Sequence, residues 1–288
     1  MMKHNEFDIK SKYKLYRTVD GILHPTISKK NISSYKIIID DSLIPLRVFY
    51  PKKVTDLNEV IIFVHGDSNI TKSEGAYSHV SSIFQKKLDK LIISLDYEDY
   101  DNLLLDDLYD KIYKTIKTIY KSLKDNGIDY NNITLMGDST GASALLYINS
   151  LNDKDIKVNK EVLFYPILSG EYFGKTKYKS IEDNTMFDLN LINNLKNYYN
   201  NKVKDEDINS SKYFALKSDK KINYPNILIM CGNVDPLIDE ARDFVSINKN
   251  IELYEVCFGE HGFLNSKDEE IIDEYLDKIS EYLVKNNE

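Results

Sequence analysis

Glycine is scarce in this chain. It has 11 in 288 residues, where ordinary usage of roughly 7% would supply about 20. Residues this few are not spread idly through loops, so their positions carry information. Tryptophan is absent and cysteine occurs only twice. Two cysteines make no disulfide framework, and their spacing matches no zinc site. Arginine is limited to Arg17, Arg47 and Arg242 among 38 basic residues, so an anionic substrate gripped by several guanidinium forks is disfavoured. No apolar run approaches the ~20 residues that span a bilayer. The opening MMKHNEFDIKSKYKLYR has no stretch resembling the apolar core of a secretory signal. A net charge of −8 argues against nucleic acid and anionic lipid as partners, since both require basic patches. A cytoplasmic, reducing environment without stable membrane association is therefore expected.

What is present is a globular composition, 42% hydrophobic and 29% charged. Tyr35 to Ile39 and Pro45 to Tyr50 read as two strands joined through Asp40-Asp41-Ser42. Val60 to Val64 is a continuous apolar run, the pattern of a strand covered on both faces. Leu91 to Leu95, Glu161 to Tyr165 and Asn226 to Met230 repeat it, while Ile133 to Met136 and Ile251 to Val256 are shorter or mixed versions. Between them lie helical periods. Leu105, Leu108, Ile112, Ile116, Ile119 and Leu123 form one stripe ended by Gly127, and Ile272, Tyr275 or Leu276, Ile279 and Leu283 form another. Such alternation predicts an α/β fold with a mostly parallel central sheet flanked by helices. The first 33 residues read as an irregular arm. Residues 167–222, partly helical near Met186 to Tyr199, are too long for an ordinary connection and read as an inserted helical cap. A single domain over 1–288, capped by about 1–33 and 167–222, is the expected organisation.

Chemistry concentrates in four short segments. Gly137-Asp138-Ser139-Thr140-Gly141 follows a buried strand and precedes the helical stretch Ala142 to Ile148. A G-x-S-x-G turn between strand and helix strains the serine backbone and lifts its Oγ clear of the sheet; the same pentapeptide alone also suits a serine capping a helix. A nucleophilic serine needs a base, and the base an orienting acid. His261 follows the last strand and Asp235 the one before it, which puts both at the C-terminal edge of a parallel sheet, where open α/β folds hold ligands. Singly, Asp235 before Pro236 also suits a helix N-cap and His261 an ordinary loop histidine. Asp239 is a weaker alternative acid, and Glu260, adjacent to His261, is poorly placed to orient it. The segment His65-Gly66-Asp67-Ser68 follows the strand at Val60 to Val64. There the N–H groups of Gly66 and Asp67, with that of Thr140, are the candidate oxyanion donors, each typically worth about 3–4 kcal/mol in activation free energy. His65 reads as a brace for that loop. Asp138, Asp239 and Glu240 read as structural carboxylates, and Cys231 and Cys257 as buried free thiols. Tyrosines 172, 178, 198, 199 and 213 suit either a substrate pocket or cap packing.

Together, His65-Gly66-Asp67-Ser68, Gly137-Asp138-Ser139-Thr140-Gly141, Asp235-Pro236-Leu237-Ile238-Asp239-Glu240 and His261-Gly262-Phe263 resemble the α/β-hydrolase fold-3, hormone-sensitive-lipase-like esterases. In that family HGGG, GDSAGG, DPLxDE and HxF stand in this order. The likeness runs from about residue 35 to the C-terminus. It implies an α/β-hydrolase fold with a cap and carboxylic-ester hydrolysis on short acyl chains. It also implies Ser139 as nucleophile, Asp235 as acid, His261 as base, and Gly66, Asp67 and Thr140 at the oxyanion. The chain departs from the family where Asp67 and Ser68 replace two glycines, where Ala142 replaces the last glycine of GDSAGG, and at Tyr97-Glu98-Asp99-Tyr100, which lacks the family's arginine. A carboxylate at Asp67 aimed at the oxyanion would oppose its charge.

The expected partner is a small-molecule ester, with no cofactor and no metal, and a homo-oligomer is compatible with the sequence. A serine peptidase or amidase of the same fold, and a small-molecule-binding protein on a hydrolase scaffold, are the alternatives.

Overall fold

The strands named above assemble into one eight-stranded sheet in a computed structural model that describes residues 32–52, 59–66, 74–95, 103–129, 132–169, 201–203, 213–218, 222 and 224–285. Strands β1 (Ile32–Ile39) and β2 (Ser42–Phe49) form a hairpin whose two turn residues, Asp40 and Asp41, have φ of 46° and 61°. Two consecutive positive φ values give the turn a twist that matches its flanking strands. The strand start at Ile32 takes the last two residues of the predicted arm into the sheet; the rest of that arm lies outside the described residues.

Strands β3 (Val60–Val64), β4 (Leu91–Leu95) and β5 (Ile133–Asp138) are buried at every residue, as their continuous apolar runs require of strands covered on both faces. Strands β6 (Lys160–Phe164), β7 (Asn226–Gly232) and β8 (Ile251–Val256) complete the order β1-β2-β4-β3-β5-β6-β7-β8. Only the β1–β2 and β2–β4 pairings are antiparallel. β8 is an edge strand, opposite β1, and its exposed and half-buried residues explain its mixed sequence pattern. After β3 the chain steps to one side to form β4 and then to the other to form β5. The C-terminal ends of β3 and β5 therefore flank the switch point where such sheets hold ligands.

Among the described residues, five helices cover the sheet: α1 (Glu74–Leu88), α2 (Leu105–Asp125), α3 (Thr140–Leu151), α4 (Ile238–Ile247) and α5 (Glu269–Val284). All six predicted stripe residues of α2 are buried, and Gly127 closes the helix at φ 75° with its N–H on the Lys124 carbonyl. α1 has no counterpart in the sequence reading, because its inner face carries Ser81 and Gln85 beside Val80 and Phe84. Two polar residues on the buried side erase the apolar period that would reveal it. α1 packs against α5 and α2 against α3. Between α1 and the sheet, Phe84 stacks on Phe164 with centroids 5.8 Å apart and meets Phe63 edge-on at 5.5 Å. Such pairs add about 0.5–1.5 kcal/mol each beyond the area they bury.

Most of the expected cap lies outside the described residues, including the helical stretch near 186–199 and tyrosines 172, 178, 198 and 199. Tyr213 is buried against the ring of Tyr109 on α2, at 6.2 Å. Both cysteines are free, but Cys257 is exposed, because it lies one residue past the end of β8; Cys231, inside β7, is buried as expected. Among the described residues no helix is long and apolar enough to cross a membrane.

Candidate active site

Ser139 stands in the tight turn between β5 and α3. Its φ of 50° and ψ of −119° are unusual for a residue with a side chain. Two backbone bonds hold it there: its N–H donates to the Phe164 carbonyl at 2.9 Å, and its carbonyl accepts the Ser143 N–H at 3.0 Å. The start of α3 also presses on the end of β3. A Cβ on Gly141 would lie 2.2 Å from the Val64 carbonyl oxygen, so only glycine permits that approach. The result is that the loop after β3 runs beside the serine.

The acid and base loops are joined in the same manner. A Cβ on Gly232, the last residue of β7, would lie 1.8 Å from the carbonyl oxygen of Gly259. This contact draws the loop after β8 onto the loop after β7 and brings their functional residues into reach. His261 Nε2 lies 3.2 Å from Ser139 Oγ, and His261 Nδ1 lies 3.0 Å from Asp235 Oδ2. Asp235 is fully buried and the His261 side chain is 12% exposed. The other carboxylate oxygen, Oδ1, accepts the Leu237 N–H at 2.8 Å. One carboxylate thus braces the turn into α4 and faces the imidazole as well, while the N-cap position itself falls to Leu237 rather than to Asp235. Asp239 pairs with Arg242 at 3.1 Å on an exposed face, turned to a surface ion pair. Glu260 contributes its carbonyl to the Phe263 N–H at 3.1 Å.

The loop after β3 adds a carboxylate to the picture. The Gly66 N–H donates to Asp138 Oδ1 at 2.8 Å, so the hydrogen nominated for the oxyanion is engaged by a neighbouring side chain. His65 is buried and its Nδ1 lies 2.8 Å from the Gly66 carbonyl, in the bracing position expected of it. Asp67 and Ser68 lie outside the described residues. Thr140 is the first residue of α3, whose opening turn receives no side-chain cap from Ser139. First-turn N–H groups lack intrahelical partners and favour negative charge.

Burial raises Asp138 to about 7, offset in part by the Gly66 N–H and by the charge His261 can carry. Glu240, at the start of α4, is pushed well above the ordinary carboxylate range, again mainly by burial. Its Oε2 accepts the N–H groups of Leu168 and Ser169, both at 2.7 Å, and so anchors the segment leading out of β6. Burial and the nearby Asp235 also push the Cys231 thiol up, which keeps it protonated and unreactive. Among the described residues no group of three or more His, Cys, Asp or Glu is arranged to hold a metal ion.

Tyr165 is the residue at this site that the sequence reading missed. It follows β6 directly, has a φ of 37°, and its ring lies 4.7 Å from the His261 ring. An aromatic at the end of an apolar run reads as one more strand residue; the Pro166 after it was the available signal of a turn.

Comparisons with known proteins agree with this fold. The model of a family described as alpha/beta hydrolase fold matches residues 61–264. The solved structure of an arylesterase is similar with a TM-score of 0.72 at 18% identity, covering 97% of this chain and 93% of that one. A hyperthermophilic esterase from the archaeon Pyrobaculum calidifontis gives 0.70 at 19% identity, covering 96% and 93%. At such identities the likeness is one of fold. The mouse (Mus musculus) protein arylacetamide deacetylase-like 4 family member 1 is 28% identical over 150 residues, 51% of this chain and 37% of its own length. The chain spans between about a third and two thirds of the length of the curated relatives it matches. With the family match covering the sheet from β3 through the loop that carries His261, the chain belongs to the α/β-hydrolase fold-3, hormone-sensitive-lipase-like family.

Proposed function

We propose that this protein is a serine carboxylesterase that hydrolyses short-chain acyl esters through an acyl-enzyme. The observation that carries the proposal is the continuous relay of Ser139, His261 and Asp235 at 3.2 and 3.0 Å, with the serine on a strained turn at the sheet's switch point. His261 takes the proton of Ser139 Oγ as that oxygen attacks the ester carbonyl, and Asp235 holds the imidazole in the tautomer that can accept it. His261 then protonates the leaving alcohol. Water, activated by the same imidazole, releases the acid from Ser139. No cofactor or metal enters these steps.

The developing oxyanion needs donors aimed at it before the reaction begins. With the Gly66 hydrogen engaged by Asp138, we assign that role to the Thr140 N–H at the start of α3 and to the N–H of Asp67. Gly66 acts by holding the loop. A carboxylate at Asp67 aimed at the oxygen would raise the barrier that the backbone lowers.

Labelling with a fluorophosphonate probe tests the proposal. Wild type should label on Ser139, and Ser139→Ala and His261→Ala should each abolish p-nitrophenyl acetate hydrolysis. Retained hydrolysis in either variant overturns the relay. Failure of the folded wild type to label favours a binding protein on the same scaffold. Amide hydrolysis is the second reading, and the likeness to an arylacetamide deacetylase that the mouse relative's name records favours it. Matched phenyl acetate and acetanilide substrates discriminate, and the ester is expected to be the faster by kcat/KM.

A further inference from the structure

Tyr165 lies between two groups that the proposed reaction uses in different ways. Its phenol oxygen is 3.4 Å from Asp138 Oδ2, and its ring faces His261 at 4.7 Å with the planes tilted by 55°. Phe263 backs the same ring edge-on at 5.1 Å. The side chain is buried, and the backbone is held in the left-handed region, which a bulky residue adopts only under constraint. Part of that constraint is visible: the Tyr165 N–H donates to the Met230 carbonyl of β7 at 2.8 Å. If filling the space beside His261 were the whole requirement, phenylalanine would meet it without a hydroxyl to satisfy. Instead the hydroxyl faces the buried carboxylate next to the nucleophile. Through its other oxygen, that carboxylate holds the Gly66 N–H at 2.8 Å.

We propose that Tyr165 is a positioning residue for the base, a bridge through which the Asp138 carboxylate sets the orientation of the His261 ring. The proposal rests on reading His261 as the base of the relay. The ionised carboxylate can accept from Gly66 and Tyr165 at once. A proton on Oδ2 would make that oxygen the donor and turn the Tyr165 hydroxyl into its acceptor, an uncharged bond that holds the ring less firmly than the one to the carboxylate. The two ionisations are therefore linked. Burial raises Asp138 to about 7, and a positive charge on His261 draws it down, so the imidazolium formed during acyl transfer favours the carboxylate that steadies the ring. The groups that face this pair come from four elements. They are the Gly66 N–H after β3, Tyr165 after β6, Asp235 after β7, and Ser139 beside Asp138 at the end of β5.

The test is an NMR titration of the His261 ring protons in substrate-free wild type and in Tyr165→Phe, together with pH profiles of p-nitrophenyl acetate hydrolysis. In wild type the His261 signal should carry an inflection belonging to Asp138, and the acid limb of log kcat/KM should steepen beyond a slope of about one, as coupled sites require. Tyr165→Phe should weaken that inflection without abolishing it, because the direct attraction between the two groups remains, and should bring the slope to about one, with kcat lowered about tenfold, a loss in keeping with slight misplacement of a reacting group, and KM within about twofold. A wild-type signal without the Asp138 inflection overturns the proposal, as does a Tyr165→Phe variant that keeps the wild-type inflection or the wild-type kcat. Asp138→Asn should remove the inflection altogether. The titration needs neither substrate nor turnover, so it decides the role of Tyr165 even where fluorophosphonate labelling of wild type fails and the esterase reading falls.

Discussion

Two carboxylates in the motif Asp235 to Glu240 compete on paper for one role, and their surroundings separate them. Asp235 is fully buried and lies 3.0 Å from His261, whereas Asp239 pairs with Arg242 at the surface. Asp235→Asn should therefore lower kcat by about 10⁴-fold with little change in KM, because an amide no longer enforces the tautomer that accepts the serine proton. Asp239→Asn should stay within about twofold of wild type, as surface substitutions usually do. Steady-state kinetics on p-nitrophenyl acetate with a circular dichroism control reads both, and equal losses in the two variants would refute the assignment. The meeting of Ser139, Asp235 and His261 on one edge was legible because each follows a strand of the parallel sheet. Tyr165 was not, because its importance lies in a φ of 37° and a ring contact across the fold. Neither leaves a trace in hydrophobic pattern. The engagement of Gly66 by Asp138 was likewise hidden, since it links residues 72 positions apart.

Among the secondary elements, continuous apolar runs identified the inner strands almost to the residue, and the α2 stripe was read without loss. Helix α1 escaped because Ser81 and Gln85 occupy its buried face, so its sequence looks neither amphipathic nor apolar. The junction of β7 with the loop after β8 has the opposite character: one glycine there announces a close approach. Gly232→Ala places a Cβ where the Gly259 carbonyl already lies, 1.8 Å away. Backbone must move, and overpacking of this kind typically costs about 1–3 kcal/mol. The two loops that separate carry Asp235 and His261, so kcat should fall together with Tm. A melting curve and kcat measured on the same preparation test this. A variant that loses stability and keeps full activity would show that the relay tolerates the displacement.

At the scale of the whole molecule, stability and activity should pull in opposite directions along the pH axis. Asp138, Glu161 and Glu240 are all buried, and burial is the first cause of the upward shift in each, to about 7 for Asp138 and about 8 for Glu161. Glu161 is the starkest case. Oε2 accepts one bond from Asn149, Oε1 has no hydrogen-bond partner among the described residues, and burial around it also raises Tyr120 and Tyr282. A carboxyl whose folded pKa is raised holds its proton in the native state at pH values where the unfolded chain has released it. Its contribution is complete below the ordinary value of about 4.3 and is lost as pH rises toward the folded value. On the acid side Asp153, half-buried and drawn down to about 2 by hydrogen bonds from Lys117 and Tyr113, works in the other direction, with a partner, Lys117, whose side chain is 40% exposed. Solvent screening limits what such a pair contributes, so the buried carboxyls should govern the curve near neutrality. Tm should then decline from about pH 5 to about pH 8, and Glu161→Gln should flatten the decline, matching wild type near pH 5 and exceeding it near pH 8. Calorimetric scans of both proteins across that range decide it. A wild-type Tm that climbs with pH would mean that these carboxyls do not hold their protons in the folded state. The Asp138 carboxylate proposed to steady the His261 ring forms as pH rises toward about 7, over the same interval in which the buried carboxyls withdraw their support. The working range of the protein is then set where this gain in activity and the loss of stability balance, and Glu161→Gln should extend it to higher pH without touching a residue of the relay.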